Sequence, residues 1–381
     1  MQPSMETRCV HGLDHAFEEN THGLTMPIYQ TAAWGHTHLG HNDNGFDYVR
    51  LTNPTRSHLE ETVSALEGAA GSIAFASGMA AIACCFELFA PGDHIICSED
   101  LYGGTVLLFD LVCKKNGLDI QPVDTTDLSK VRAALRPDTK GIYLETPSNP
   151  MMNVTDISGC AEIAASVGAK LIVDNTFLSP YFQNPLALGA DIVVHSGTKF
   201  LCGHNDTLSG FLCLKDGELR ERLWRIAMAS GGVLSPFDSW LMLRGIKTLP
   251  IRMERQQQTA MAIARWLTAQ PMVKKVYYVG LPDHPGYAVN RRQSRGAGSM
   301  LSFEMESPEL ALRVLQSVKV ITFAESLGGP ESLITRPATQ THRDVPKQEQ
   351  LRLGITDSLL RMSVGLEGQE DLIADLAQAM A

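Results

Sequence analysis

The stretch KLIVDNTFLSPYFQNPLALGADIVVHSGTK, residues 170–199, contains two short apolar runs, each followed directly by polar residues. The run at residues 171–173 leads into Asp174, and the run at residues 192–194 leads into the polar segment 196–199. Continuous apolar runs of this length are typical of strands that are buried on both faces of a parallel sheet. Because ligands bind beyond the C-terminal ends of such strands, these polar residues are candidates for a functional site.

Apolar runs alternate with segments of helical length on both sides of this stretch. Further strands are expected at residues 71–77, 93–98, 118–123, 141–145 and 208–214, and helices at residues 55–67, 103–116, 128–135 and 157–167. Together with the two strands quoted above, this alternation predicts an α/β domain over residues 51–250, built on a mainly parallel seven-stranded sheet.

The two ends of the chain differ from this domain. Residues 1–50 contain six of the twelve histidines and little periodic pattern, and we interpret them as an extended N-terminal arm. Residues 251–381 begin with a long helical segment and then alternate short strands with helices. This second pattern predicts a smaller C-terminal α/β domain.

Charge and cysteine content restrict the possible partners and the compartment. The 381 residues include 32 Lys and Arg against 42 Asp and Glu, for a formal net charge of −10. Because the chain has no basic block, it is a poor candidate for binding nucleic acid or an anionic membrane. Its eight cysteines form no Cys-x-x-Cys pair, and several lie in apolar runs. We therefore expect buried free thiols and a cytoplasmic protein.

Three common motifs are missing. The sequence contains no Gly-x-Gly-x-x-Gly opening a helix, no Gly-x-x-x-x-Gly-Lys-Ser/Thr and no His-Glu-x-x-His. The sequence therefore argues against a dinucleotide-binding enzyme and against a P-loop NTPase.

The polar residues at the strand ends are instead the parts that a pyridoxal 5'-phosphate (PLP) site needs. A turn that carries Gly78 at the start of a helix offers backbone N–H groups to a phosphate, and Ser196 and Thr198 add hydroxyl donors. Lys199 can form a Schiff base with a carbonyl, and Asp174 can pair with a protonated ring nitrogen. Each residue alone is more often a turn, a cap or part of a solvated loop. Their occurrence together at the strand ends of one sheet favours the cofactor site.

Eight motifs, in order along the chain, support a resemblance to a known family. They are YVR (48–50) with NPT (53–55), ASGMA (76–80), DLYGGT (100–105), ETPSNP (145–150), VDNT (173–176), SGTK (196–199), ESLGG (325–329) and LRMSVG (360–365). With these motifs the chain resembles the PLP-dependent enzymes of cysteine and methionine metabolism, among them cystathionine γ-synthase, cystathionine β- and γ-lyases and methionine γ-lyase. The resemblance implies the PLP-dependent transferase fold of type I.

The resemblance also implies roles for residues around the cofactor. Lys199 would bind PLP covalently and, once the substrate displaces it, would move protons at Cα and Cβ. Asp174 would keep the pyridine nitrogen protonated, and Tyr102 would stack on the ring and take part in proton transfer. The residues implied to bind the phosphate are Gly78, Met79, Ser196 and Thr198.

In this family the N-terminal arm belongs to the site of a neighbouring subunit. Tyr48 and Arg50 would reach the phosphate bound by that neighbour. The resemblance thus implies a homotetramer built from two active dimers, in which an isolated monomer is inactive.

The remaining site residues are implied to face the substrate. Arg361 would pair with the α-carboxylate through its planar fork, and Asn149 and Ser326 would line the same region. Methionine γ-lyases carry Cys at the position of Gly104, which argues against methionine as the preferred substrate. Glu325 is placed as in family members that handle cystathionine, where a carboxylate could meet the distal ammonium group.

The leading hypothesis is a PLP-dependent carbon–sulfur lyase acting on L-cystathionine or a related sulfur amino acid. It would eliminate a thiol to leave a 2-oxo acid and ammonia, by either β- or γ-elimination. Cystathionine γ-synthase, which joins an acylhomoserine to cysteine, shares nearly all of these residues and is the alternative, with methionine γ-lyase behind it.

Two further hypotheses come from other classes of protein. A catalytically idle PLP-binding protein is disfavoured by the presence of Lys199, Tyr102 and Arg361. A metal-binding protein would use the histidines His36, His38 and His41 of the arm. No set of Asp or Cys residues with ligand spacing accompanies these histidines, and we expect no metal site.

Overall fold

In the computed structural model, which describes residues 3–12, 22–39 and 44–381, seven strands form the larger sheet. They are β1 (Gly71–Phe75), β2 (His94–Ser98), β3 (Asp119–Val123), β4 (Thr139–Glu145), β5 (Lys170–Asp174), β6 (Ile192–His195) and β7 (Gly210–Leu214). Their order is β1-β7-β6-β5-β4-β2-β3, and the five strands β2 to β6 run parallel to one another. Strand β7 runs antiparallel to both of its neighbours, β1 and β6, whereas the other six strands share one direction, so the predicted mainly parallel seven-stranded sheet is confirmed.

Helices cover both faces of this sheet. They are α1 (Met5–His11), α2 (Pro54–Glu67), α3 (Gly78–Phe86), α4 (Gly103–Leu108), α5 (Leu128–Ala133), α6 (Ile157–Val167), α7 (Ser179–Phe182), α8 (Gly217–Ser230) and α9 (Pro236–Ile246). Two apolar cores lie between the helices and the sheet, one on each face. Since both faces are covered, the strands are apolar almost throughout, which is why they could be read as continuous apolar runs.

Local chemistry explains where one of these helices starts and stops. The Asp156 side chain accepts a hydrogen bond from the Gly159 N–H and so caps the start of α6. Gly168 ends the helix with φ of 69°, a left-handed conformation that costs glycine little. Between these signals Ile157, Cys160, Ile163 and Ala164 face the sheet and are buried.

The C-terminal part is built on a second sheet. Its elements are α10 (Leu249–Thr268), β8 (Val273–Tyr277), α11 (Tyr287–Gln293), β9 (Met300–Met305), α12 (Pro308–Ser317), β10 (Thr322–Phe323), β11 (Leu333–Thr335), α13 (Lys347–Arg352), β12 (Leu359–Ser363) and α14 (Gln369–Met380). The five described strands pair in the order β10-β11-β12-β9-β8 and have an apolar core of their own. This is the smaller α/β unit expected after residue 250; the boundaries at 50 and 250 themselves stay predictions.

Two local features differ from the sequence-based expectation. The arm contains α1, whose Arg8 Nη1 donates to the Ala65 carbonyl oxygen at 2.6 Å, so the arm is not extended throughout. One helix of two turns is too short to show a periodic pattern. The helix expected at 103–116 is α-helical to Leu108 and continues as a π-helical turn over Phe109–Cys113. In the described part of the chain, no helix is long and apolar enough to cross a membrane.

Candidate active site

A cavity of about 310 Å³ opens at the C-terminal ends of the central strands, against the smaller sheet. It is lined by every site residue that the sequence predicted except Tyr48 and Arg50, namely Gly78, Met79, Tyr102, Asn149, Asp174, Ser196, Thr198, Lys199, Glu325, Ser326 and Arg361. A cavity of this size is within the range of small-molecule sites. Residues from distant parts of the chain thus meet where ligands bind in open α/β sheets.

The Lys199 side chain lines this cavity and is partly buried. Its Nζ donates a hydrogen bond to Ser326 Oγ at 3.0 Å. Burial lowers the pKa of the Lys199 amine to about 8, assisted by the positive charge of Arg361 and opposed by the negative charge of Glu325. An amine with this pKa is partly unprotonated near neutral pH, as a nucleophile or base must be.

Asp174 ends strand β5 and has its two carboxylate oxygens held separately. The Thr176 N–H donates to Oδ1 at 3.0 Å, and the Tyr143 hydroxyl donates to Oδ2 at 3.4 Å. Burial raises the pKa of Asp174, while the hydrogen bonds from Thr176 and the nearby His195 lower it. A cationic partner in the cavity would offset the cost of burying this charge, which suits a carboxylate that pairs with a ring N–H.

Helix α3 supplies the wall at which a phosphate would bind. The Ser77 hydroxyl caps the Ala80 N–H, so the N–H groups of Gly78 and Met79 come before the first capped donor. A Cβ atom on Gly78 would lie 3.1 Å from Ser196 Cβ, so glycine leaves room for this close approach. The Thr198 hydroxyl, which the sequence predicted as a phosphate donor, donates to the Ser209 carbonyl oxygen at 3.2 Å and accepts the Ser209 N–H at 2.9 Å.

Arg361 lies on strand β12 and reaches the cavity from the smaller sheet. Its Nη1 donates to Asn149 Oδ1 at 2.7 Å, and its Nη2 donates to the Ser326 carbonyl oxygen at 3.3 Å. Its Nε is buried and has no hydrogen-bond partner among the described residues. Burial lowers the pKa of this guanidinium to about 10, and Glu325 and Tyr102 oppose that shift. A buried cation with an unused donor is suited to an anionic ligand group.

Tyr102 covers the cavity from the start of α4. Its backbone N–H donates to Glu145 Oε2 at 3.0 Å, and its side chain is 43% exposed. Burial of its hydroxyl and the charge of Glu325 raise its pKa. A Cβ on Gly104 would lie only 2.5 Å from the Tyr102 ring atom Cε1. A side chain at this position would therefore require the Tyr102 ring to shift.

Three polar residues around the site were not assigned from the sequence. Tyr143 and Glu145 lie on β4, and the Glu145 and Asp174 Cα atoms are partners in the sheet register. Burial and the negative charge of Asp174 raise the pKa of the Glu145 carboxyl well above its ordinary value. Asp100 accepts hydrogen bonds from Ser148 and, at 3.3 Å, from Asn153 Nδ2. Tyr143 could have been noticed as a hydroxyl within an apolar run.

Tyr48 and Arg50 lie apart from the cavity of their own chain. Arg50 Nη1 donates to the Met228 carbonyl oxygen at 2.5 Å, and the guanidinium lies 5.7 Å from the centroid of the Tyr48 ring. Tyr48 is 46% exposed. Their predicted role at a neighbour's site therefore stays a prediction.

The arm histidines show no metal site in the part of the chain that is described. His36 Nε2 lies 2.8 Å from Asp47 Oδ1, and His38 Nδ1 lies 3.0 Å from the Thr37 hydroxyl. No group of three or more His, Cys, Asp or Glu side chains able to bind a metal occurs within residues 3–12, 22–39 and 44–381. His41 lies outside the described residues.

The residues of the cavity fit PLP by their chemistry. A buried lysine amine of lowered pKa, a buried carboxylate and a helix N-terminus are present together, as the aldehyde, the ring nitrogen and the phosphate require. The close contact between Gly78 and Ser196 forms a wall without side-chain bulk. Lys199, Asp174 and the start of α3 would hold these three groups.

Comparison with known proteins agrees with this chemistry. The family model of the Cys/Met metabolism PLP-dependent enzymes matches residues 6–381. The cystathionine γ-lyase of Bacillus subtilis is 45% identical over 375 residues, 98% of each chain. The cystathionine γ-synthase of Haemophilus influenzae is 48% identical over 366 residues, 96% of this chain and 94% of that one.

A solved structure shows the same fold. The cystathionine γ-lyase of Lactobacillus plantarum, complexed with L-serine, matches with a TM-score of 0.95 and 42% identity, covering 99% of this chain and 98% of that one. The expected type I fold and the use of PLP are thereby confirmed. The chain belongs to the Cys/Met metabolism PLP-dependent enzymes and is a PLP-dependent trans-sulfuration enzyme of the carbon–sulfur lyase type.

Proposed function

We propose that the enzyme cleaves a C–S bond of L-cystathionine or a related sulfur amino acid, releasing a thiol, a 2-oxo acid and ammonia. One observation carries this proposal: Arg361, Lys199 and Glu325 line the same cavity. Each end of cystathionine carries a carboxylate and an ammonium group, so a site for it needs a cation for the α-carboxylate of the reacting end and can use an anion for the distal ammonium. Arg361 is a buried cation and Glu325 an exposed anion, and the charges of both act on the Lys199 amine, which is consistent with such a substrate.

Arg361 and Asn149 orient the substrate. The bond from Arg361 Nη1 to Asn149 Oδ1 fixes the plane of the guanidinium, whose buried Nε has no hydrogen-bond partner among the described residues. A planar fork binds a carboxylate at two points and so limits its rotation. The substrate Cα–H is thereby held in one orientation, which lowers the entropic cost of the reaction.

Lys199 moves the protons. PLP, when bound, draws electrons away from the substrate Cα and makes its C–H bond more acidic. The Lys199 amine, freed by the incoming substrate, takes the proton from Cα; its pKa of about 8 keeps a useful fraction unprotonated. Ser326 accepts a hydrogen bond from the same amine and so holds it at one place in the cavity.

Two eliminations are open to these residues. In β-elimination the Cβ–S bond breaks, homocysteine leaves, and hydrolysis of the remaining fragment gives pyruvate and ammonia. In γ-elimination a second proton leaves Cβ before the Cγ–S bond breaks, and the products are cysteine, 2-oxobutyrate and ammonia. Small differences in transition-state binding decide between them.

Purified protein loaded with PLP and given L-cystathionine tests the proposal. Pyruvate or 2-oxobutyrate, identified by mass, is the expected product, and Lys199→Ala should produce neither. Glu325→Gln should raise the KM for cystathionine more than that for a thioether lacking the distal ammonium. Turnover of an acylhomoserine with cysteine, and none with cystathionine alone, would instead establish the γ-synthase reaction.

We further propose a cytoplasmic homotetramer in which Tyr48 and Arg50 complete the site of a neighbour. All eight cysteines are buried and free, as suits a reducing compartment. The two arm residues are exposed and away from their own cavity, so they are available to another subunit. The size of the purified protein in solution tests the tetramer.

A further inference from the structure

We propose that Glu67 is a positioning residue of the cofactor site, whose buried carboxylate joins the two strand ends that carry Asp174 and Lys199. The inference depends on the use of PLP and is independent of which C–S reaction is catalysed. No motif assigned to the site includes Glu67.

Glu67 is the last residue of α2, and its side chain is inaccessible to solvent. Its Oε1 accepts a hydrogen bond from Asn175 Nδ2 at 3.0 Å and lies 2.7 Å from His195 Nε2, which must donate to it. Asn175 follows Asp174 directly, and His195 directly precedes Ser196. One oxygen atom therefore connects the end of β5 to the end of β6.

The alternation of side chains explains why this tie lies behind the cavity. Successive side chains along a strand point to opposite faces of the sheet. Asp174 and Ser196 line the cavity, whereas Asn175 and His195 are buried and do not line it. By holding the side chains of Asn175 and His195, Glu67 also fixes the backbone from which Asp174 and Ser196 extend into the cavity.

Thr176 makes the corresponding tie on the cavity side. Its Oγ1 accepts the Ser196 N–H at 2.9 Å, and its own N–H donates to Asp174 Oδ1 at 3.0 Å. The ends of β5 and β6 are therefore linked on both faces of the sheet, by Thr176 on the cavity side and by Glu67 on the opposite side.

Loss of the Glu67 carboxylate removes the acceptor of Asn175 Nδ2 and His195 Nε2, and also that of Asn184 Nδ2, which lies 3.2 Å from Oε2. Unsatisfied buried donors favour rotation of one or both strand ends.

A role confined to stability predicts a different result from a positioning role. If Glu67 merely stabilises the fold, its loss lowers the unfolding temperature and weakens PLP binding no more than any equally buried carboxylate does. Asp375 is such a carboxylate: it is buried in the C-terminal part and accepts the N–H groups of Lys319, Val320 and Ile321. Asp375→Asn is accordingly the matched control.

The experiment compares Glu67→Ala, Glu67→Gln and Asp375→Asn as full-length protein. PLP is removed and rebound to each variant, its dissociation constant is measured by equilibrium dialysis, and the absorption maximum of the bound cofactor is recorded. The unfolding temperature of the cofactor-stripped protein is measured in parallel. By analogy with partners that orient metal ligands, we expect Glu67→Ala to weaken PLP binding by about tenfold or more.

Glu67→Gln keeps an oxygen that can accept the hydrogen bonds of Asn175 and His195, and it loses only the acceptor of Asn184 Nδ2, which also donates to the Leu66 carbonyl oxygen. This variant should retain most of the affinity and the wild-type absorption maximum. Asp375→Asn should lower the unfolding temperature and leave the dissociation constant within about twofold of the wild type. Equal weakening of PLP binding in Glu67→Ala and Asp375→Asn, at equal loss of stability, would overturn the proposal. If Glu67→Ala does not fold, Asn175→Ala removes one of the two donors and is judged by the same criteria.

Discussion

The Lys199 Nζ atom donates a hydrogen bond to Ser326 Oγ at 3.0 Å, and this contact joins the larger sheet to the loop before β11. Ser326 has φ of 102°, a conformation that favours glycine. Ser326 therefore has a strained backbone conformation next to the reactive amine, as often occurs at functional sites.

Ser326→Ala should lower kcat severalfold, because the amine loses the acceptor that holds it, and a hydrogen bond of this kind contributes about 1 kcal/mol. Ser326→Gly should lose the same activity and yet unfold at a higher temperature than Ser326→Ala, since glycine relieves the positive φ. Steady-state kinetics and thermal unfolding of both variants test this. Equal unfolding temperatures of the two variants would contradict the conclusion that the backbone at residue 326 is strained.

The charges around Lys199 predict opposite effects of two substitutions. Glu325→Gln removes a negative charge and should lower the pKa of Lys199 below its value of about 8, whereas Arg361→Gln should raise it. The rate at which trinitrobenzenesulfonate modifies Lys199 in cofactor-stripped protein, followed by mass against pH, measures this pKa. Shifts in the same direction for both variants would contradict the assignment.

Asp100 predicts a change of stability with pH. Burial raises its pKa to about 6, above its ordinary value, so the folded protein holds this proton more tightly than the unfolded chain does. The resulting stabilisation is complete below the ordinary pKa and is lost as the pH rises through 6. Relative to Asp100→Asn, the wild type should thus lose about 2 kcal/mol of unfolding free energy between pH 4.5 and pH 7.5. Urea unfolding of both proteins across this range is the measurement; parallel curves would refute it.

Gly104→Ala tests the packing of Tyr102. The added Cβ would lie 2.5 Å from the Tyr102 Cε1 atom, so the ring must leave its position over the cavity. We expect kcat/KM for cystathionine to fall by about tenfold or more, with little change in unfolding temperature. Gly217→Ala, where the new Cβ meets nothing within 4 Å, is the control. Wild-type kinetics in Gly104→Ala would show that the ring position does not matter.

Mixing two inactive variants tests whether Arg50 serves a neighbouring subunit. Lys199→Ala and Arg50→Ala should each be inactive or nearly so. In a hybrid dimer both substitutions fall in one site and the other site is intact, so unfolding and refolding an equal mixture should restore about one quarter of the wild-type activity. If Arg50→Ala alone keeps its activity, Arg50 has no role in the site; if both variants are inactive and the mixture stays inactive, Arg50 acts within its own chain.

Much of the fold was predictable because burial of both sheet faces leaves a direct trace in the residues. Helix α6 has the bounds that the apolar pattern predicted, and β2 and β3 differ from the predicted bounds by one residue. Helix α1 and the π-helical turn after α4 left no such trace, since one or two turns are shorter than the period that identifies a helix.

Of the site, the sequence determined which chemical groups follow each strand, and the eight motifs indicated the family. What the sequence could not determine is how the groups meet, because hydrogen bonds such as that of Arg361 with Asn149 join residues 212 positions apart. Only the tertiary structure decided that the Thr198 hydroxyl donates to the Ser209 carbonyl oxygen and that the Glu67 carboxylate contacts His195, next to the cofactor site. Burial is the physical reason: a buried carboxylate must find donors wherever the fold supplies them, and no local pattern records which donors these are.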